Sequence, residues 1–197
     1  MATRACPVVV AIGLVAALAC VQTVAAQNVR LTVKVRNDAD VQTDVLDAAK
    51  TAVADIYCKA GIALTFVDGH EDIRVVLLSR HTSGNMHQIS DAIGFAPGSE
   101  TERGRLAYVL KPRVDRIADG YGVPRQVVLA TAISHEIGHL LMFHAHSATG
   151  IMRPDWTQSD FRSAVHGKLL FTPEQGAAMR ARLVGADATV ALSAMPR

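Results

Sequence analysis

His135-Glu136-Ile137-Gly138-His139 sits inside a run from Pro124 to Phe143 that is apolar nearly all round. A helix with that pattern belongs in a core, and Pro124 suits its first position. Two histidines four apart lie on one helical face, about 40° apart at 3.6 residues per turn. Burying two imidazoles and a carboxyl there is costly unless something satisfies them. A divalent cation would do so, because imidazoles at that spacing can converge on one Zn²⁺ at about 2.0–2.1 Å. Glu136 adjoins the first histidine and can reach water at the metal. Its role there is general base rather than ligand.

A catalytic zinc wants a third protein ligand. His144 and His146 follow the helix, ahead of Ser147-Ala148-Thr149-Gly150-Ile151-Met152. Glu174 and Asp155 are oxygen alternatives. The segment resembles the metzincin clan of zinc metalloproteases, which read H-E-x-x-H-x-x-G-x-x-H and then a methionine-containing turn. His135, Glu136 and His139 match directly. The clan's glycine position is Met142 here and its third-histidine position is Ala145, with His144 and His146 one residue either side. The segment also resembles secreted bacterial proteins of unassigned function that read H-E-I-G-H-L-L, a short loop, H-S-x-x-G-I-M and a tryptophan. Against that pattern His146 aligns as the third ligand, Gly150-Ile151-Met152 as the turn, and Trp156 follows. His144 then caps the helix end, where the dipole favours it.

The resemblance implies a zinc metalloendopeptidase acting on a peptide or protein substrate, with His135, His139 and His146 on Zn²⁺ and Glu136 as base. It implies Met152 as an apolar floor beneath the metal. It also implies an antiparallel edge strand, at Ile93–Ala96, that binds an extended peptide through its main chain. Trp156 reads as core packing or as a pocket wall. The other reading of the irregular ligand spacing is a non-catalytic exported zinc-binding or partner-binding protein of zincin-like fold. His70, His81, His87 and His166 lack ligand spacing and read as solvated or locally hydrogen-bonded, with substrate or a second ion as the other reading for His81 and His87.

Upstream, Val29, Leu31, Val33 and Val35 alternate with polar residues, which predicts a strand. Asn37–Asp40 reads as a turn, and a helix follows from Val41 to Ala60, stopped by Gly61. Strands are predicted at Ile62–Val67, Ile73–Leu78 and Leu106–Leu110, a short helix at Val114–Ala118, and a last helix from Thr172 to about Leu183 with a frayed tail from Ala186. The expected fold is α+β: a mixed, mostly parallel twisted sheet with an antiparallel edge strand, packed on two main helices, with a small C-terminal helical part.

Residues 1–26 read as an export signal. Arg4 is the positive start, Val8–Val21 the apolar stretch, and Val24-Ala25-Ala26 the small residues before cleavage at Gln27. The run ends at Gln22, short of the roughly 20 residues of a membrane span, so none is expected in the mature form. Ala17-Leu18-Ala19-Cys20 loosely resembles a lipobox, which makes a lipoprotein anchored at Cys20 the alternative to a secreted or periplasmic protein. Residues 27–197 form one domain, long enough to bury a core. The mature chain keeps only Cys58, so no intrachain disulfide is available. Late in an amphipathic run, Cys58 reads as a small core residue. Net charge is +2, from 20 Lys and Arg against 18 Asp and Glu. That balance leaves no electrostatic footprint for nucleic acid. No phosphate-cradling glycine loop and no nucleophilic-serine elbow appear.

Overall fold

In a computed structural model, residues 29–79, 92–97, 104–142 and 146–193 are described, with side chains to residue 185. The predicted alternation becomes β1 (Val29–Asp38), whose Val29, Leu31 and Val33 are buried. The chain continues through α1 (Thr43–Lys59), β2 (Ile62–Phe66), β3 (Ile73–Leu78), β4 (Gly94–Phe95) and β5 (Leu106–Leu110). Then come α2 (Lys111–Tyr121), α3 (Arg125–Met142), α4 (Gln158–Val165) and α5 (Pro173–Ser193).

The strands form one sheet in the order β2-β1-β3-β5-β4. The first four run parallel, and β4 pairs antiparallel to β5 at the edge, Gly94 opposite Val109 and Phe95 opposite Tyr108. Register carries the apolar residues across one face: Leu31 lies beside Leu64, Val35 beside Val75, and Val75 beside Ala107. Opposite positions such as Arg30, Arg36, Ala63, Thr65 and Arg74 are exposed. A parallel sheet is usually covered on both sides; here that far side is polar along β1 and β2, whereas Val76 and Leu110 on β3 and β5 are buried. This is the expected α+β layering.

The helix α3 is the centre of the core. Every residue from Val128 to Gly138 is buried, as are Leu140 and Leu141. It packs against α1, α2, α4, α5 and strands β3, β4 and β5, which is why it is apolar around its whole circumference. The buried stripe of α1 (Leu46, Ala49, Val53, Tyr57) lies against it, and the Tyr57 hydroxyl donates to the Ser134 carbonyl at 3.0 Å. Gly61, at φ +77, turns the chain from α1 into β2 as predicted.

Several expectations are corrected. Cys58 is exposed, not core; it lies one residue, or about 100°, past Tyr57 and so falls off the buried stripe. β1 extends through Asp38 into the predicted turn, and the Asn37 side chain brackets the corner by bonding both the N–H and the carbonyl of Val41. The α2 helix is longer than Val114–Ala118 because it starts directly from β5, with Pro112 in its first turn. The last helix continues to Ser193 instead of fraying at Ala186; the amphipathic pattern stops there, but alanine-rich sequence still favours helix. α4 is unpredicted. It has eight residues and one buried side chain, Phe161, and its start is a capping box between Thr157 and Asp160. Residues 1–28, which include the predicted export signal, lie outside the described residues, and no helix among those described is long and apolar enough to cross a membrane.

Tyr57→Phe is expected to lower unfolding stability by about 0.5–1.5 kcal/mol, the net worth of one hydrogen bond. Tyr57→Ala should cost about 3–5 kcal/mol by opening a cavity between α1 and α3. Denaturant unfolding of the two variants checks both values.

Candidate metal centre

One turn of α3 places His135 and His139 with their Nε2 atoms 2.8 Å apart and their rings nearly perpendicular. The His146 ring centroid is 5.4 Å from that of His135 and 4.9 Å from that of His139. One ligand nitrogen from each of the three lies within 4.8 Å of the others. Tetrahedral zinc at about 2.0–2.1 Å would hold such nitrogens about 3.3 Å apart, within side-chain rotation of this arrangement. Burial is graded: His135 is buried, His139 half-buried and His146 exposed, so the trio opens to solvent on the His146 side.

Hydrogen bonding decides which nitrogen of His135 faces the trio. Its Nδ1 lies 2.8 Å from the Ile151 carbonyl, which can only accept, so Nδ1 carries the proton. Nε2 is left with a lone pair toward His139, the state a metal ligand needs. Burial pushes the His135 pKa down to about 4, against the opposing pull of that carbonyl, with His146 lowering it further. The ring is therefore neutral near pH 7.

Glu136 is 2% exposed, and its Oε2 has no hydrogen-bond partner. Loss of solvent pushes its pKa up to about 8. A buried carboxyl without a partner is poised either to stay protonated or to face a cation. The edge strand passes directly over it. A Cβ on Gly94 would stand 2.8 Å from Cγ and Oε1 of Glu136 and would also collide with the Tyr108 carbonyl. Only glycine lets β4 pair with β5 and clear the carboxyl together. The three imidazoles fit a zinc ion in ligand type and number, with an orphaned carboxyl beside them.

The Gly150-Ile151-Met152 turn closes the site from below. Gly150 sits at φ +76 against the Leu170 carbonyl, where a side chain has no room. Met152 is fully buried, and a Cβ on Gly138 would lie 2.5 Å from its Sδ. The glycine of the histidine motif thus makes room for the methionine of the turn. The Ile151 carbonyl accepts a second bond from the Trp156 indole N–H at 3.1 Å, and that ring stands edge-on to His135 at 5.0 Å. Half-buried Trp156 therefore both packs and braces the first histidine.

Among the described residues, His135, His139 and His146 form the one group of three or more metal-ligating side chains that converges. Glu174 and Asp155, the oxygen alternatives, are exposed and outside it. So are His70 and His166. His144, His81 and His87 lie outside the described residues. The strand predicted at Ile93–Ala96 is present as β4. Sequence reasoning missed the roles of Gly94 and Gly138 and the shared Ile151 carbonyl, because each depends on a contact between segments distant in the chain.

The fold is similar to the crystal structure of archaemetzincin from Methanopyrus kandleri, with a TM-score of 0.56 and 11% sequence identity. The likeness covers 80% of this chain and 98% of that one. At that identity it shows a shared zincin-like fold. No protein-family profile matches the chain, and no curated protein matches it.

Gly138→Ala should destabilise the protein by about 1–3 kcal/mol through overpacking, and Met152→Ala in the same chain should recover part of the loss. Unfolding of the two single variants and the double variant tests that coupling. In metal-free protein, the raised pKa of Glu136 means its contribution is fully present below about pH 4.5 and is lost as pH rises through about 8. Glu136→Gln should remove that decline, which amounts to about 1.4 kcal/mol for every tenfold difference between the folded and unfolded acid constants. Urea unfolding between pH 6 and 9 makes the comparison; equal slopes in parent and variant would refute it.

Proposed function

We propose that this chain is an exported zinc-dependent peptidase in which His135, His139 and His146 hold the metal and Glu136 is the general base. The observation that carries the reading is the convergence of three imidazoles beside a buried carboxyl that has an unpartnered oxygen. Zinc, when bound, would polarise a substrate carbonyl and lower the pKa of water toward about 7. Every other part is played by the chain. The Ile151 carbonyl keeps His135 in the ligating tautomer, and the Trp156 ring packs edge-on against it. Glu136 takes a proton from the attacking water at its carboxylate and can return it to the leaving amine. A cation nearby would favour the ionised carboxylate, opposing the effect of burial. Among the described residues the outer side of β4 pairs with no other strand, which leaves main-chain groups for an extended peptide beside Glu136. Export rests on the N-terminal sequence pattern, with Gln27 as the first mature residue.

The mature protein is expected to bind one zinc and to cleave members of a random peptide library. Glu136→Gln should retain the metal and lose about 10²–10⁴-fold in kcat/KM, the usual weight of general base catalysis. Activity unchanged in that variant would overturn the mechanism. Stoichiometric zinc with no cleavage of any peptide would favour the non-catalytic zinc-binding reading, for which the exposed, irregularly spaced His146 is the supporting observation.

A further inference from the structure

His146 is the one member of the trio that lies off α3, and it is exposed. Burial cannot hold it, so its position depends on the bonds of its loop. The N–H of the next residue, Ser147, donates to the Met152 carbonyl at 2.9 Å, and the Ser147 hydroxyl donates to the Thr149 carbonyl at 2.7 Å. The hydroxyl proton is thereby used, and Ser147 Oγ keeps its lone pairs. Gln175 reaches that oxygen from α5, its Nε2 donating at 2.9 Å across 28 residues of sequence. The other end of the same amide is committed as well. Gln175 Oε1 accepts from the Thr172 N–H at 2.9 Å, while Thr172 Oγ1 accepts from the Gln175 N–H at 3.3 Å. Because a backbone N–H can only donate, this reciprocal cap sets which end of the amide points at Ser147. The segment leading into α5 meets the turn at a second point, where the Ile151 N–H donates to the Leu170 carbonyl. Downstream, Met179 and Leu183 are buried and Arg180 donates to the Ala60 carbonyl at the end of α1, which anchors α5 on the core.

We propose that Gln175 is a positioning residue for the third ligand: through Ser147 it holds the His146 loop against the α3 histidines, so metal affinity depends on the seating of α5. The inference rests on the assignment of His146 as a ligand made above. It concerns a residue that touches neither metal nor substrate, and partners at that remove typically carry about 10–100-fold in metal affinity.

The discriminating variant is Gln175→Glu. A glutamate keeps the oxygen that caps Thr172 but has no N–H to give Ser147. The metal-free variant should therefore melt close to the parent, losing only the small contribution of one part-buried hydrogen bond, while zinc affinity, read by competition with a chromophoric chelator at physiological salt, falls about 10-fold. Ser147→Ala should weaken zinc binding at least as much, because it also removes the bond to the Thr149 carbonyl, and the double variant should lose no more than Ser147→Ala alone, because both remove the Gln175–Ser147 bond. His146→Ala sets the full cost of losing the ligand. If His146→Ala weakens zinc binding and Gln175→Glu does not, the positioning role is overturned while the ligand assignment stands. If His146→Ala binds zinc as the parent does, the ligand assignment fails and the positioning role with it.

Discussion

The Ile151 carbonyl accepts from the Nδ1–H of His135 and from the indole of Trp156, and the site is organised around this bond. It joins the most buried helix to a turn that comes 16 residues later in the chain. It selects the tautomer of the first histidine, and so which nitrogen faces the trio. The turn's own glycine, Gly150, is required separately, by its φ of +76 and by the Leu170 carbonyl against it. The Ile151 carbonyl reaches His135 only with Met152 tucked beneath α3, and Met152 fits there only because residue 138 has no side chain. Hydrogen bond, methionine and Gly138 thus form one constraint.

Such a site runs against the usual economy of a core. Burying His135 and Glu136 lowers one pKa and raises the other, each disfavouring the charged form. Neither residue adds packing that leucine would not supply better. Proteins accept costs of this kind where function requires perturbed groups. The molecule contains the cost by surrounding the pair with rigid elements: α1 through Tyr57, β4 through Gly94, and the segment leading into α5.

Much of the architecture was legible from local pattern. Alternation found β1, the segments Ile62–Val67, Ile73–Leu78 and Leu106–Leu110 were read as the strands β2, β3 and β5, and an apolar helix carrying a polar motif marked α3 as central. Boundaries failed where one short element follows another or is held by few residues. α2 begins without a turn because β5 feeds it directly, and α4 is held by a capping box around a single buried phenylalanine. Cys58 was misplaced because one residue of helical phase separates a buried stripe from solvent. The trio was legible in part: His135 and His139 follow from helical spacing, whereas His146 came from a resemblance and not from geometry.

Sequence alone determined the chemistry on offer: two imidazoles and a carboxyl on one helix, a third histidine shortly after, and a Gly-Ile-Met run beyond it. Those are covalent facts of spacing, and helical periodicity turns spacing directly into direction. Only the tertiary structure decided how the groups are held. Gly94 clears Glu136, Gly138 admits Met152, Ile151 orients His135, and Gln175 meets Ser147. Each is a contact between residues at least 14 positions apart, and nothing in local propensity records which distant backbone will arrive at a given side chain.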